Sequence, residues 1–282
     1  MTMAQPEILK EGRSSLAVYR DAPSWCEKKT ASLGQLKLHS AEEASVLFSR
    51  ASGQLGSEGF EAIIGPMDGD TWHSYRSVTE SDGSPAYLME PTSGPHDVAA
   101  LGNGGFRPIS HYVSMRVTTR DAVGRRPKNE TGVEIVNWDG GNAESFFGEV
   151  YDFSVDGFAR NAFYKPITRD EFLGLYTPYV AFLKPELIFF ARHQKGDLAG
   201  FLFGIPDYAQ GPQTKTAILK TYASAVRGVG FLLADAFHRS ALDNGFETTI
   251  HALMHQDNVS KERSSRHGAE VFRRYALYGL DL

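Results

Sequence analysis

The chain has 282 residues, 41% hydrophobic and 22% charged, with a formal net charge of −5 and a pI near 6.0. It is long enough to bury a sizeable core without covalent staples, and about long enough for two average domains. The mildly acidic balance excludes a basic face for nucleic acid and a polybasic stretch for a membrane surface. The single cysteine, Cys26, excludes an internal disulfide and leaves a zinc site short of soft ligands. A reducing cytoplasmic setting without a metal is therefore expected. The first thirty residues are mixed and charged, so no secretory signal is expected. No run reaches the roughly 18 apolar residues of a membrane span. The sequon Asn129-Glu130-Thr131 is read as incidental.

Along the chain, Ser40-Ala41-Glu42-Glu43 reads as a helix start, with Ser40 and Glu43 as a capping box. The helix runs to Gly59-Phe60-Glu61 and gives way to an apolar strand. A turn-forming Gly-Pro-Met-Asp-Gly stretch then leads into a dense polar-aromatic block, Trp72-His73-Ser74-Tyr75-Arg76. The segment SHYVSMRV ends the first half as a strand. Residues 118–130 are polar, charged and aperiodic and read as a linker.

The second half begins with a strand over 133–137 and helices over 143–162 and 169–182, the latter capped by Thr168. Strands over 187–192 and 198–205 form a hairpin. A strand over 216–223, a glycine turn and a helix over 228–244 follow. Strands over 248–254 and 271–280 flank a short helix over 260–267. Phe146, Phe147, Phe153, Phe158 and Phe163 read as core, with some bordering a cleft.

An internal repeat links the halves. Gly245-Phe246-Glu247 repeats Gly59-Phe60-Glu61, with each glycine placed to cap a helix C-terminus. Gly105 and Tyr112 are seven apart, and so are Gly268 and Tyr275. The expected architecture is two α/β units, 1–126 and 127–282.

The chemistry is expected in the segment 222–232. There a strand enters a Gly-containing turn and opens a long helix. Orphan amides and the positive dipole end favour phosphate, and glycines allow close approach. Arg227 adds a positive charge, and the first acid of the helix is Asp235. The matching helix of the first half starts with Glu42 and Glu43, which repel a pyrophosphate. One nucleotide-type site per chain follows. The turn is neither a Walker loop nor a dinucleotide fingerprint, because the required Gly-Lys-Ser/Thr and third glycine are missing.

On these residues the sequence resembles the GCN5-related N-acetyltransferase superfamily. Arg227, Gly230 and Leu232 fall on its Arg/Gln-x-x-Gly-x-Gly/Ala motif, with Leu232 larger than the family residue. The block from Gly65 to Arg76 is similar to one in two-unit members. The resemblance implies two tandem units, each a mixed, mostly antiparallel twisted sheet flanked by helices, with the first unit degenerate. It also implies acetyl-CoA as co-substrate, pantetheine between two splayed strands, and direct acetyl transfer to a primary amine of a small or amino-acid-like acceptor. Thr221, Tyr222, Ala223, Ala225, Arg227, Gly228, Val229, Gly230, Phe231 and Leu232 would hold the donor. A strand amide near Tyr222 or Ala223 would polarise the thioester carbonyl. Asn258 matches a residue that contacts the pantetheine arm. Ser264 stands where the family places a tyrosine acid, and its hydroxyl could bond the sulfur.

His251 and His255 are candidate proton acceptors, expected on one face of a period-2 strand. With no third ligand apparent, metal binding by this pair is not favoured. Trp72, His73, Tyr75, Arg76 and Glu90 are acceptor-site candidates, or packing between the halves. Glu90 and Asp68 would attract a cationic amine. The adjacent His73-Ser74 does not make a hydrolase triad, because no Gly-x-Ser-x-Gly elbow is present. The competing classes are a non-catalytic acyl-CoA sensor and a pure interaction protein. The expected partner is a small-molecule amine, with the chain a monomer or homodimer.

Overall fold

A computed structural model describes residues 5–159, 161–257, 264–265 and 268–282. The first half comprises β1 (Glu7–Glu11), β2 (Ser14–Tyr19), β3 (Thr30–Lys37), α1 (Ala41–Ser57), β4 (Ala62–Gly65), β5 (Ser77–Ser81), α2 (Asp97–Asn103), β6 (Arg107–Thr118) and α3 (Thr119–Ala122). The second comprises β7 (Glu134–Asn137), α4 (Ala143–Phe158), α5 (Arg169–Tyr176), β8 (Ile188–Arg192), β9 (Leu198–Pro206), β10 (Thr216–Ser224), α6 (Val229–Asp243), β11 (Thr248–His255) and β12 (Glu270–Asp281). This is the mixed α/β architecture expected.

The strands form one sheet in the order β1-β2-β3-β4-β12-β6-β11-β10-β9-β8-β7, with β5 also beside β12. Among the described residues only β3 with β4 and β10 with β11 run parallel. The last strands of the two halves are exchanged. β12 pairs with β4, and β6 pairs with β11. β6 and β12 then pair with each other at the centre, where Tyr112 lies opposite Tyr275. The tyrosine anchors of the sequence repeat therefore meet face to face.

The glycine anchors are equally regular. Gly59, Gly105, Gly245 and Gly268 all adopt positive φ, between +78° and +83°. After each, the next amide reaches back five residues: Phe60 to Leu55, Phe106 to Leu101, Phe246 to Ala241 and Ala269 to Ser264. A side chain would strain these turns, which is why glycine recurs.

Three expectations change. The stretch read as a linker is ordered at its start, because Thr118 caps α3 by accepting from the Asp121 amide. The helix over 169–182 turns into a tighter 3-10 helix from Thr177 to Phe182, with Pro178 in its first turn. Proline has no amide to continue the α-helical ladder. Ser40 accepts from the Glu43 amide, but the Glu43 carboxylate turns to Ser14 instead of closing the capping box. The complete capping box is at Thr168 and Glu171. Of the helix over 260–267, only Ser264 and Ser265 are described, and both are helical.

Two layers cover the second half of the sheet. Val229, Leu233 and Phe237 of α6 pack on Leu202, Ala217 and Leu219. Phe146, Phe147 and Phe172 of α4 and α5 pack on Ile188, Phe190 and Phe201. Alternation along β8 and β9 sends these sets to opposite faces. Among the described residues no helix is long and apolar enough to cross a membrane.

Candidate active site

β10 and β11 are paired only from Thr216 opposite Thr248 to Leu219 opposite His251. Two bulges then part them. The register of β10 against β9 shifts between Leu219 and Thr221, making Lys220 the extra residue. The register of β11 against β6 shifts between His251 and Met254, where Leu253 adopts φ +56°. Beyond the bulges β10 stays with β9 and β11 stays with β6. On the side facing β11, the ladder of β10 ends at Leu219. A bulge bends its strand and interrupts its ladder, so the pair opens as a wedge. The wedge leads into a cavity of about 1190 Å³, walled by residues of both halves.

The turn after β10 fits an anion. Gly228, at φ +93°, caps α6 with no side-chain cap, and no acid occupies the first turn. The Val229 and Phe231 amides close turns onto the Val226 and Gly228 carbonyls at 3.2 and 3.0 Å, so what this helix start offers an anion is chiefly its positive dipole end. Thr221, Tyr222, Gly230 and Phe231 line the cavity. Ala223, Ala225, Arg227, Gly228, Val229 and Leu232 form the adjoining strand end, turn and helix start. Arg227 and Ala225 are exposed. Val229 and Leu232 are buried under α6, which explains how a large residue fits at position 232. Asn258 lies outside the described residues.

The first half shows what a closed version of this wedge looks like. Thr30 pairs with Ala62 as Thr216 pairs with Thr248, so Gln35 corresponds to Thr221 and Asp68 to Met254. Asp68 Oδ1 accepts the Gln35 amide at 2.8 Å. A Cβ on Gly34 would collide with that carboxylate and sit 2.6 Å from the Met67 carbonyl. A carboxylate thus fills this wedge. Glu42 and Glu43 occupy the first turn of α1, where the matching turn of α6 has no acid.

His251 and His255 do not share a face, contrary to the period-2 expectation. The bulge at Leu253 resets the alternation, so His251 and Met254 face one way and His255 the other. His251 joins a buried chain. Its Nε2 lies 2.9 Å from His238 Nε2, and its Nδ1 lies 2.7 Å from Ser264 Oγ. Ser264 Oγ also approaches Met254 Sδ at 3.4 Å. His255 bonds Ser110 Oγ at 3.1 Å and stands edge-on to Tyr112.

The acceptor-site candidates all line the cavity. Trp72 donates from Nε1 to the Lys165 carbonyl at 2.8 Å and meets Phe158, Tyr164 and Phe172 edge-on, so it also joins the halves. His73 Nδ1 lies 2.8 Å from buried Asp70, whose carboxylate raises the imidazole above its ordinary pKa. Arg76 stacks between Tyr75 and Tyr112. Glu90 accepts from the Tyr275 hydroxyl at 2.5 Å and the Tyr87 amide at 3.1 Å, and faces Arg273 Nε at 3.3 Å. Glu90 and Asp68 are thus already engaged by protein groups.

Sequence reasoning missed Lys220 and His238. Lys220 is the one charge inside the apolar run of β10, which was the available signal. Burial and the nearby Arg76 charge push its pKa down to about 8. His238 is fully buried on α6 and gave no signal beyond its helical spacing.

No protein-family profile matches the chain, and no curated protein does. Solved structures do. A tandem GNAT protein from the clavulanic acid biosynthesis pathway superposes with a TM-score of 0.57 at 15% identity, covering 95% of this chain and 78% of its own. A GCN5-related N-acetyltransferase from Sphaerobacter thermophilus gives 0.58 at 14% identity, covering 95% and 76%. The GCN5-related glucosamine N-acetyltransferase region of a fungal multi-domain GH3 beta-N-acetylglucosaminidase gives 0.57 at 13% identity, covering 95% and 31%. The chain has the GCN5-related N-acetyltransferase fold in its tandem form.

Proposed function

We propose that this chain is an N-acetyltransferase that moves an acetyl group from acetyl-CoA to a primary amine by direct attack. The observation that carries this reading is the wedge between β10 and β11, opening beside the glycine-capped start of α6. In the proposal, units 1–126 and 127–282 each lend a last strand to the other, and only the second binds the donor.

Residues 221–224, beyond the end of the β10–β11 ladder, would bond the amides of the pantetheine arm as an added strand does. Residues 227–232, with the positive end of α6 and the Arg227 side chain, would receive the pyrophosphate. An amide at Tyr222 or Ala223 would stabilise the developing oxyanion. The amine nitrogen bonds to the acetyl carbon, the C–S bond breaks, and its electron pair leaves on sulfur. The nitrogen loses one proton, for which His255 is the acceptor on the cavity wall. The sulfur gains one from Ser264 Oγ, resupplied through His251 and His238. This hydroxyl–imidazole–imidazole chain stands in for a tyrosine acid. A lone serine hydroxyl is too weak an acid, but one fed by an imidazole can pass a proton on.

The test is thiol release on mixing the protein with acetyl-CoA and a panel of primary amines. Turnover with at least one amine is expected. Stabilisation by CoA without turnover across a wide panel would identify a binding protein instead. No thermal shift with CoA would sink the donor site itself.

A further inference from the structure

Two cations stand at the two lips of the wedge, and among the described residues neither has a counter-ion. Lys220 is the bulged residue of β10. Arg76 donates from Nη1 to the carbonyl of Leu253, in the bulge of β11, at 3.2 Å. Both line the cavity. Among the described residues neither makes an ion pair, and Lys220 makes no side-chain hydrogen bond. Arg76 is 4% exposed, and its Nε is buried with no partner. A buried guanidinium with most of its donors unused is unusual, because the lost hydration is normally repaid by a carboxylate or a set of carbonyls.

The carboxylates on the same wall do not supply that charge. Glu90 is held by Tyr275, Tyr87 and Arg273, Asp68 by the Gln35 amide, and Asp257 projects into solvent. Among the described residues no carboxylate acts on Arg76 or Lys220, so the charge at the wedge itself is positive, opposite to what a site built only for a cationic amine would carry. Burial pushes Arg76 down to about 10, and Lys220 is lowered partly by Arg76 itself. An anion between the two would relieve both. Arg76 is also held at φ +76°, a backbone region sparsely used by residues other than glycine. Such conformations cluster at functional sites, where surrounding contacts over-determine them. The rings of Tyr75 and Tyr112, 3.7 and 3.9 Å from the guanidinium carbon, provide that hold.

We infer that the acceptor is an amine that also carries a carboxylate, with an apolar α-amino acid as its simplest form, and that Arg76 and Lys220 bind the carboxylate at the mouth of the wedge. The rest of the wall fits the apolar part, since Trp72, Phe147, Phe158, Phe172 and Phe203 face the same space. A carboxylate gripped at the wedge holds the α-amine two bonds from the carboxylate carbon, next to where the thioester carbon would lie. This rests on reading the cavity as the acceptor site of an acetyltransferase.

The experiment uses matched pairs that differ only in the carboxylate: L-phenylalanine with phenethylamine, and L-leucine with 3-methylbutylamine. Binding to the CoA-loaded protein is measured by calorimetry, and turnover with acetyl-CoA by thiol release. The carboxylate member should bind about ten- to hundredfold tighter, the effect of a charge-assisted hydrogen bond. In turnover the preference should fall on KM. R76K should keep part of it, and R76Q and K220M should each reduce the ratio between members. K220M guards against R76Q failing to fold. Equal or weaker binding of the carboxylate member overturns the inference, as does binding of neither. A fall in kcat that is the same for both members also overturns it, because the cations would then serve the thioester. A binding preference that persists without any turnover would sink the transferase reading and leave this one standing.

Discussion

Replacing Lys220 by methionine tests the electrostatics of the wedge without any substrate. Lysine ordinarily titrates near 10.5, and here burial and the Arg76 charge bring it to about 8. The folded value lies below the unfolded one, so the folded chain holds this proton less tightly. Charged Lys220 therefore destabilises the fold, fully below about pH 8 and progressively less as pH rises toward the unfolded value. A displacement of about 2.5 pH units corresponds to about 3 kcal/mol, and contact with cavity water lowers that to about 1–3 kcal/mol. Methionine keeps most of the apolar stem and removes the charge. Urea unfolding of both proteins at pH 7 and pH 10 reads the effect. K220M should be more stable at pH 7 by about 1–3 kcal/mol, and by pH 10 most of the difference should be gone. A difference that does not change with pH, or a less stable K220M at pH 7, would refute the account of a strained, unpaired cation.

Ser264→Ala removes the last link of the buried chain to His251. It should lower kcat by about ten- to hundredfold, within the range for a lost proton donor, with the CoA dissociation constant unchanged. Glu90→Ala strips Arg273 of its buried partner at 3.3 Å and two protein donors of their acceptor, and should cost about 3 kcal/mol or more in urea unfolding. Gly204→Ala puts a methyl against the Phe237 ring and 2.8 Å from the Leu187 carbonyl, so a loss of about 1–3 kcal/mol is expected from the melting curve. Asp70→Asn removes the carboxylate that holds the His73 proton, and an NMR titration should show that imidazole moving down.

The sequence carried the fold well where local chemistry decides it. The four glycines repeat because only a positive-φ residue closes each helix into the following strand, and that rule acts within six residues. The turn at Gly228 was legible for the same reason. The exchange of β6 and β12 was not, because it is a choice between two strands of matching pattern, and only tertiary packing decides it. The site was legible as a set of segments and not as a set of contacts. The polar-aromatic block from Trp72 to Arg76 does face the cavity, though Trp72 and Lys220 lie 148 positions apart. The single residue Leu253 misled the reading of His251 and His255, since a positive φ at a leucine reverses the alternation and nothing in its neighbours announces it. His238 and Lys220 were overlooked because each looks like an ordinary residue of its helix or strand until the wedge is seen. The Asp68 carboxylate that closes the first-half wedge was not legible, because its contact with Gln35 spans 33 residues.

The most direct test of the account is a crystal structure with CoA bound. The pantetheine arm should lie between β10 and β11 against residues 221–224, with the pyrophosphate at residues 227–232 and the sulfur within reach of Ser264. The first half, closed by Asp68, should hold none. CoA seated between β3 and β4, or anywhere other than the β10–β11 wedge, would contradict the central claim.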